Sequence, residues 1–317
     1  MSAEREVILE PAWVSARPTA WADVAQRLVR LPKLVFEHWD LVRTTLRRDI
    51  AARFQGTLFG WAWPLLQPLF LFSVYFFIFT KFLQQRMGEL PEDKKTAMAI
   101  YMFCAMLAWS AFSESLTRGT SVIVDNGNLI KKLVFPAELL PLNTVLASLT
   151  VMLFGVAIFL LATLCTPVWE APGPALLWLP VIVAVQGVFT YGLVLLLATL
   201  QVFLRDTVQI VTMLTTMWMF MTPIFWVPEL MGPGLDPWRG ILEANPGFHM
   251  VSAWRGALMG DLVYTTGGHA GLPTVMNPVS VAAIPAHVGV LALWALGAYA
   301  VGYTVFVFSQ RRFADEV

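Results

Sequence analysis

The residues that could carry out chemistry in this chain are few and widely separated. Metal centres and catalytic sites usually bring histidine, cysteine or carboxylate side chains together at short, regular spacings. The histidines are His38, His249, His269 and His287, and the cysteines are Cys104 and Cys165. No two of them have the spacing of metal ligands, and both cysteines lie inside apolar runs. We therefore predict neither a metal site nor a redox pair.

Sequence motifs for catalysis and nucleotide binding are missing as well. The sequence contains no H-E-x-x-H, no G-x-S-x-G and no G-x-x-x-x-G-K-[ST] phosphate loop. Membrane enzymes and ion-coupled transporters place ionisable groups within the bilayer, whereas the long apolar runs of this chain hold almost none. The prediction is a chain that is not an enzyme and has no cofactor, so any energy must come from another protein.

Aromatic side chains do cluster, within three of the apolar runs. Their faces could offer sliding contacts to the C–H bonds of sugar rings, or they could serve for ordinary packing and as an interfacial belt. The residues that we expect to line a pathway on the first interpretation are Tyr75, Phe79, Trp109, Phe112, Trp218, Phe220, Phe225 and Trp226.

The composition indicates that membrane helices must position these aromatic residues. The chain has 317 residues, of which 57% are hydrophobic and only 13% are charged, and its mean hydropathy is +0.67. A soluble protein would carry about a quarter charged residues. The 21 basic and 21 acidic residues cancel, so nothing in the net charge suggests a nucleic-acid partner.

Six stretches without charged residues predict six transmembrane helices, because about 20 apolar residues cross a bilayer as a helix. The alternative for any one run is a buried core helix. The second run is the shortest and ends on Glu114, so that span could begin or finish in the interface. The predicted spans cover about 58–82, 96–116, 140–166, 175–203, 207–228 and 285–309, within a transmembrane domain over residues 54–312.

The positions of lysine and arginine predict the orientation. Most of the 21 basic residues fall before the first span, in the loop after the second span and after the last span. Because basic residues concentrate on the cytoplasmic side, both termini are expected there. Residues 1–20 and 313–317 are interpreted as tails.

Residues 21–53 have the pattern of a basic amphipathic helix, in which apolar residues such as Val24, Leu28 and Leu31 recur at helical spacing. Such a helix suits the cytoplasmic membrane surface, and the alternative is a helix that packs on a soluble partner. Pro32 is expected to break or kink it.

Two further segments between spans predict short helices. Residues 125–141 place Leu129 to Lys132 between turn residues and two prolines, which is typical of a short cytoplasmic helix that could transmit force. A simple basic turn that anchors topology is the alternative. In the long outer loop, Asn245 and Pro246 predict the start of a helix that is too short to span and lies on or re-enters the outer leaflet.

The order of several motifs resembles the permeases of ABC-type polysaccharide exporters, which move O-antigens, teichoic acids and capsules. The similar segments cover most of the chain between Arg43 and Arg312. They are Arg53–Pro68, Lys131–Pro141, Val202–Asp206 with Met221–Phe225, and Glu243–Pro246 with Trp254–Arg255.

This resemblance implies an all-α integral membrane fold with six transmembrane helices, an N-terminal amphipathic interface helix, a short cytoplasmic coupling helix and an outer re-entrant helical hairpin. It also implies a bacterial inner-membrane half-transporter that pairs with a second copy of itself and with two cytosolic ABC ATPase subunits. ATP and Mg would be bound by those ATPase subunits, and the substrate would be a lipid-linked polysaccharide. Membrane lipid would surround the spans.

The resemblance also implies roles for individual residues. Arg53, Gly60 and Trp61 would shape the cytoplasmic opening of the pathway. The residues expected to couple to the ATPase are Leu129, Ile130, Lys131, Lys132, Phe135, Pro136 and Glu138. Two alternatives stay open: an exporter of a smaller lipid or drug, and a membrane-embedded glycan transferase that would use acids such as Glu89, Glu170 or Asp261.

Overall fold

The computed structural model describes residues 30–78, 92–132, 136–165, 173–267 and 273–316. Within these ranges most residues are helical, and four helical segments are long and apolar enough to cross a membrane. These segments are Ala97–Asp125, Leu139–Cys165, Pro174–Phe203 and Val281–Arg312. The chain is therefore an α-helical membrane protein with several spans.

The N-terminal amphipathic segment is helical from residue 30, where the description begins, and continues as α1, Trp39–Phe54. The helix runs through Pro32, and the interruption lies at the turn residue His38, so the break expected at Pro32 is wrong. Val42 and Ile50 are buried, while Arg43, Arg47 and Arg48 are exposed. The apolar side of α1 packs on a transmembrane helix, α5. The predicted tail 1–20 lies outside the described residues.

A tight turn joins α1 to the first apolar helix. Gly60 has a φ of 47°, in the left-handed region that favours glycine. The Thr57 hydroxyl donates to the Phe54 carbonyl at 2.7 Å, and the Gly60 N–H donates to the Thr57 hydroxyl at 3.2 Å. A 3-10 turn over Gly60–Ala62 then leads into α2, Trp63–Phe77. The far end of the predicted span 58–82 lies outside the described residues.

The second predicted span is much longer than expected. Helix α3 covers Glu92–Asp125 and has 34 residues, so it extends beyond the predicted span 96–116 at both ends. The helix continues past Glu114 because that carboxylate is paired with two arginines rather than marking a helix end. After a one-residue break, the short helix α4 follows at Gly127–Lys132.

Three predicted spans agree closely with the structure. Helix α5 covers Leu139–Cys165, and helix α6 covers Leu179–Phe203 after a 3-10 turn at Pro174–Trp178. Helix α10 covers Ile284–Ser309. The fifth predicted span is shorter than expected, since α7 covers only Thr207–Met221 and ends seven residues before the predicted boundary at 228. At 1.5 Å per residue its 15 residues measure roughly 22 Å.

The outer segment between α7 and α10 contains both helices and strands. A 3-10 segment, Pro228–Trp238, leads into α8, Arg239–Ala244, and α9, Pro246–Met259. Strands β1, Leu262–Gly267, and β2, Pro273–Val279, form an antiparallel pair that the sequence analysis did not predict. A 3-10 turn at Val281–Ala283 then precedes α10.

Helix α3 lies at the centre of the bundle, against α5, α6, α7 and α9. Helices α6 and α10 are closely packed, because the backbone at Gly302 lies against the backbone at Gly192. Beyond α10 the chain forms a 3-10 turn at Gln310–Arg312 and a last short helix, α11, at Phe313–Glu316.

Candidate functional site

An ion-pair cluster around the buried Arg53 holds the amphipathic helix against the bundle at the end of α1. The Arg53 guanidinium donates to the Glu114 carboxylate at 3.0 Å and to the Ser148 hydroxyl at 3.3 Å. It also lies 3.5 Å from the Asp49 carboxylate. Glu114 accepts a second ion pair, from Arg118 at 3.0 Å. The cluster thus links α1 to α3 and α5, next to the turn that contains Gly60.

The Arg53 side chain is only 3% exposed, so its charge depends on these partners rather than on water. The two arginines offset the negative charge that Glu114 brings into the middle of α3. Of the residues expected at the cytoplasmic opening, Arg53 and Gly60 therefore have clear local roles. The side chain of Trp61 lies outside the described residues, and its backbone forms part of the 3-10 turn.

The expected coupling residues divide between an exposed tip and a buried base. Within α4, Leu129 and Ile130 are half-buried and Lys131 is exposed. Glu138 is buried, and its carbonyl accepts a hydrogen bond from the Tyr191 hydroxyl at 3.1 Å. Pro136 is half-buried, whereas Phe135 and the Lys132 side chain lie outside the described residues. Lys131 is therefore the exposed member among the described residues of the set, and Glu138 anchors the segment.

Three of the expected pathway aromatics pack against one another. Trp218 makes edge contacts with Trp109 and Phe112, with ring centroids 5.9 and 5.3 Å apart. Phe112 also stacks on Phe189 of α6 at 5.6 Å. Trp109 and Phe112 are buried within the chain, and Trp218 is partly buried. In this conformation these rings join α3 to α6 and α7.

The other aromatics of that set are more dispersed. Phe220 is exposed and lies 6.1 Å from Phe225, between ring centroids. The Trp226 indole N–H donates to the Phe220 carbonyl at 3.2 Å. Phe79 and the Tyr75 side chain lie outside the described residues. A lining role stays a prediction for the whole set.

Asn245 organises the junction between α7 and α9. Its side-chain oxygen accepts from the Gly247 N–H at 2.9 Å, as the expected helix cap, and from the Trp218 indole at 2.7 Å. Its amide nitrogen donates to the Thr222 hydroxyl at 3.2 Å. One side chain therefore starts α9 and fastens it to the end of α7.

Helix α9 is buried in the bundle and carries an arginine into it. The Arg255 guanidinium donates to the Tyr101 carbonyl at 3.0 Å and to the Pro223 and Ile224 carbonyls at 2.6 and 3.2 Å. It also lies 3.3 Å from the centroid of the Tyr101 ring, within the range of a cation–π contact. Arg255 thus provides hydrogen-bond donors to the residues that follow α7. It belongs to the loop that the sequence places outside the membrane, and the structure shows that its side chain is buried in the bundle.

A neighbouring side chain extends this buried network. The Trp254 indole donates to the Gln186 side-chain oxygen at 2.6 Å, and the Gln186 amide donates to the Ala108 carbonyl at 3.0 Å. Helix α9 is therefore tied to both α6 and α3. A charged residue inside the otherwise apolar run Val251–Met259 was the signal in the sequence that could have found this arrangement.

Two histidines that are 38 residues apart meet between α9 and the start of α10. The Nδ1 atoms of His249 and His287 are 2.9 Å apart, and His249 Nε2 lies 2.6 Å from the Glu243 carbonyl oxygen. A carbonyl only accepts, so a neutral His249 carries its proton on Nε2 and His287 donates through Nδ1. The pair joins α9 to α10. Among the described residues, no three His, Cys, Asp or Glu side chains are grouped so as to hold a metal ion.

The sequence analysis considered the histidines only as metal ligands and did not predict that His249 and His287 meet. Nothing in the sequence brings His249 and His287 together, because their contact depends on how α9 folds against α10. Cys104 is buried, Cys165 is exposed, and the two thiols are not bonded to each other.

Known proteins are similar in sequence to most of this chain. A family model described as ABC-2 type transporter matches residues 40–259. The O-antigen export system permease protein RfbA of Myxococcus xanthus is 30% identical over 199 residues, which are 63% of this chain and 73% of that protein. Two proteins of the same name from Klebsiella pneumoniae are 28% and 25% identical over 235 and 233 residues. Each alignment covers 71% of this chain, and the shares of those proteins are 82% and 83%. The family match runs from α1 to the end of α9, so it contains the ion-pair cluster, α4 and the aromatic cluster.

Proposed function

Because this chain belongs to the ABC-2 type transporter family, we propose that it is the membrane-spanning permease of an ATP-driven exporter of an O-antigen-like, lipid-linked polysaccharide. The observation that carries the substrate class is the similarity to three O-antigen export permeases over most of the chain. The permease itself is non-catalytic, and hydrolysis takes place on a partner ATPase.

The partner ATPase binds at α4 on the cytoplasmic side. This short helix stands at the end of α3, the central helix of the bundle, and exposes Lys131. A push on α4 is transmitted to α3 across a single residue, Asn126, whose side-chain amide donates to the Val122 carbonyl at 2.8 Å. A stiff short helix at that position suits the transmission of force from a soluble protein.

Two copies of the chain enclose the pathway, with α7 on the side of the partner copy. Helix α7 is shorter than the roughly 30 Å hydrocarbon core of a bilayer. Its exposed residues include Gln209, Met213 and Met217. A short helix that exposes a polar amide is better accommodated beside protein or water than beside lipid tails. Six spans per copy, with α2 and α7 as the first and fifth, place both termini in the cytoplasm of a bacterial inner-membrane protein.

The experiment that tests the function is co-purification of the tagged chain with its candidate ABC ATPase, followed by ATP hydrolysis measured with increasing lipid-linked polysaccharide. We expect a stable complex whose ATP turnover rises with the glycan. The double variant Lys131→Glu, Lys132→Glu should lose the complex or its glycan response. Arg239→Glu is the matched control, since Arg239 is an exposed arginine of the outer segment.

The other outcomes distinguish the alternatives. If turnover responds to a small lipid or drug and not to the glycan, the chain is an exporter of that smaller substrate. If the native chain binds no ATPase, the exporter assignment fails. Sugar transfer by the chain alone, abolished by Asp261→Ala, would then support a transferase.

A further inference from the structure

The C-terminal residues do not leave the bundle as a tail. The chain continues in helical conformation past the exposed residues Arg311 and Arg312, and Phe313 is 0% exposed. Its ring packs edge-on against Phe306 of α10, with centroids 5.2 Å apart and planes at 73°. Of the predicted tail 313–317, the described residues end at Glu316, and Phe313 is packed into the bundle.

The last short helix, α11, lies against the short helix α4. Helix α11 contacts α4 and also α6. Ile130 of α4 packs on the same hydrophobic core to which Phe313 and Phe306 belong. The last residues of the chain thus lie between the proposed ATPase-binding helix and two transmembrane helices.

Helices α6 and α10, which receive this contact, are packed too closely to move independently. A Cβ atom at Gly302 would overlap the Gly192 carbonyl oxygen, and one at Gly192 would overlap the backbone at Tyr299. Tyr191 and Tyr299 also contact each other across this pair, with centroids 6.0 Å apart. Closely packed elements transmit a displacement rather than absorb it. A force that reaches one helix therefore reaches both.

We propose that the C-terminal segment 310–316 is a mechanical link that carries displacement of α4 to the α6–α10 pair, with Phe313 as its positioning residue. Helix α4 then has two connections to the membrane domain: one through Asn126 to α3, and one through Phe313 to α6 and α10. Helix α3 and the α6–α10 pair respond together when α4 moves. This inference deepens the proposed function, because it needs α4 to receive the force.

The first test uses the isolated chain in detergent or nanodiscs and needs no ATPase. Hydrogen–deuterium exchange is measured at the amides of residues 127–132 in native protein, Phe313→Ala, Phe313→Leu and Glu316→Ala. Glu316 is exposed in the same short helix and serves as the matched control. Phe313→Ala should raise exchange at α4 about tenfold, while Phe313→Leu, which still fills the site, should stay near native. Unchanged exchange in Phe313→Ala would overturn the link.

The second test uses the complex with its ATPase and measures polysaccharide exported per ATP hydrolysed. Phe313→Ala should co-purify with the ATPase at the native level and hydrolyse ATP, yet export about fivefold less glycan per ATP. A merely structural defect would lower the amount of complex and leave this ratio unchanged. A native ratio in Phe313→Ala, or in a chain that ends at Arg312, overturns the proposal. If native complex exports no glycan while the exchange result at α4 holds, it is the proposed function that has failed and the physical link that remains.

Discussion

Arg255 shows how one residue allows a short helix to enter the bundle. Its guanidinium donates to the Pro223 and Ile224 carbonyls, just after α7 ends, and to the Tyr101 carbonyl within α3. Buried carbonyls without donors are costly, at about 1–3 kcal/mol each. The buried arginine is tolerated in this apolar setting because its N–H groups donate to carbonyl oxygens and its guanidinium lies over the Tyr101 ring.

Replacing Arg255 by alanine should therefore destabilise the protein strongly. The change removes the donor to the Pro223 and Ile224 carbonyls and opens a cavity, for a loss of about 3 kcal/mol or more. The measurement is thermal unfolding of the detergent-solubilised protein, followed by size-exclusion chromatography after heating. Arg239→Ala is the control, because Arg239 is exposed and pairs only with exposed Asp236. Equal melting temperatures for the two variants would show that Arg255 has no special structural role.

Glu229, in the outer segment after α7, predicts a pH dependence of stability. Burial raises the pKa of its carboxyl, against the opposing effects of a backbone hydrogen bond, Arg255 and Arg239. One oxygen, Oε2, is buried without a hydrogen-bond partner. Because the folded-state pKa lies above the unfolded one, the folded state holds the proton more tightly. Stability is greatest below the unfolded pKa and is lost as pH rises through the folded pKa.

Glu229→Gln should remove this loss, since the amide carries no charge. We expect the variant to melt at a higher temperature than the native chain at pH 7.5, with the difference shrinking as the pH approaches 4.5. Melting curves of both proteins across this range check the prediction. A difference that grows towards acid pH would reverse the sign of the argument.

At the residue level, the sequence predicted local roles better than distant contacts. Asn245 was identified as a helix cap because that role depends only on its neighbours. The meeting of His249 with His287 and the pairing of Arg53 with Glu114 depend on packing between elements far apart in sequence. Glu114 was even interpreted as the end of a span, since its partner could not be seen.

Among the elements, the crossing of α6 and α10 is the contact with least tolerance. Gly302→Ala should force the two backbones apart and cost roughly 1–3 kcal/mol, the usual penalty of overpacking. Gly297→Ala lies on the same helix with open space around its added methyl group, so its stability should stay within about 1 kcal/mol of native. Thermal unfolding of both variants in the same detergent measures the contrast. If Gly302→Ala and Gly297→Ala have the same melting temperature, the two helices can separate without loss of stability.

The boundaries of the helices and strands show which of them hydropathy alone can predict. Helices α5 and α10 begin and end within one residue of the predicted limits, because uncharged runs of bilayer length fix them. Helix α7 stops early because Thr222 and Pro223 leave the helix and Arg255 donates hydrogen bonds to the Pro223 and Ile224 carbonyls. The β1–β2 pair carries no hydropathy signal that distinguishes it from a loop. Tertiary hydrogen bonds decide these boundaries, and they are invisible to a run of apolar residues.

On the scale of the whole molecule, the uneven exposure of the helices bears on assembly. Helix α3 is almost enclosed by its own chain, whereas α7 exposes Met213, Met217 and Phe220 along one side. Helix α10 exposes Leu293 and Leu296. Leucine suits contact with lipid, but the α7 face also exposes Gln209 and belongs to a helix too short for the bilayer core. The two exposed faces thus differ in chemistry and are expected to have different neighbours.

This difference predicts where a second copy binds. Cysteine is introduced at Met213 or Met217 in a Cys165→Ser background, and membranes are treated with a short bifunctional maleimide. Cys104 stays in place because it is buried and will not react. Cysteine at α7 should give a cross-linked dimer in most of the protein, because the faces of two copies lie opposite each other. Leu296→Cys, equally exposed but on α10, should stay monomeric. A dimer that forms from Leu296→Cys and from neither α7 position would place the partner copy on the opposite side of the bundle and exclude a pathway next to α7.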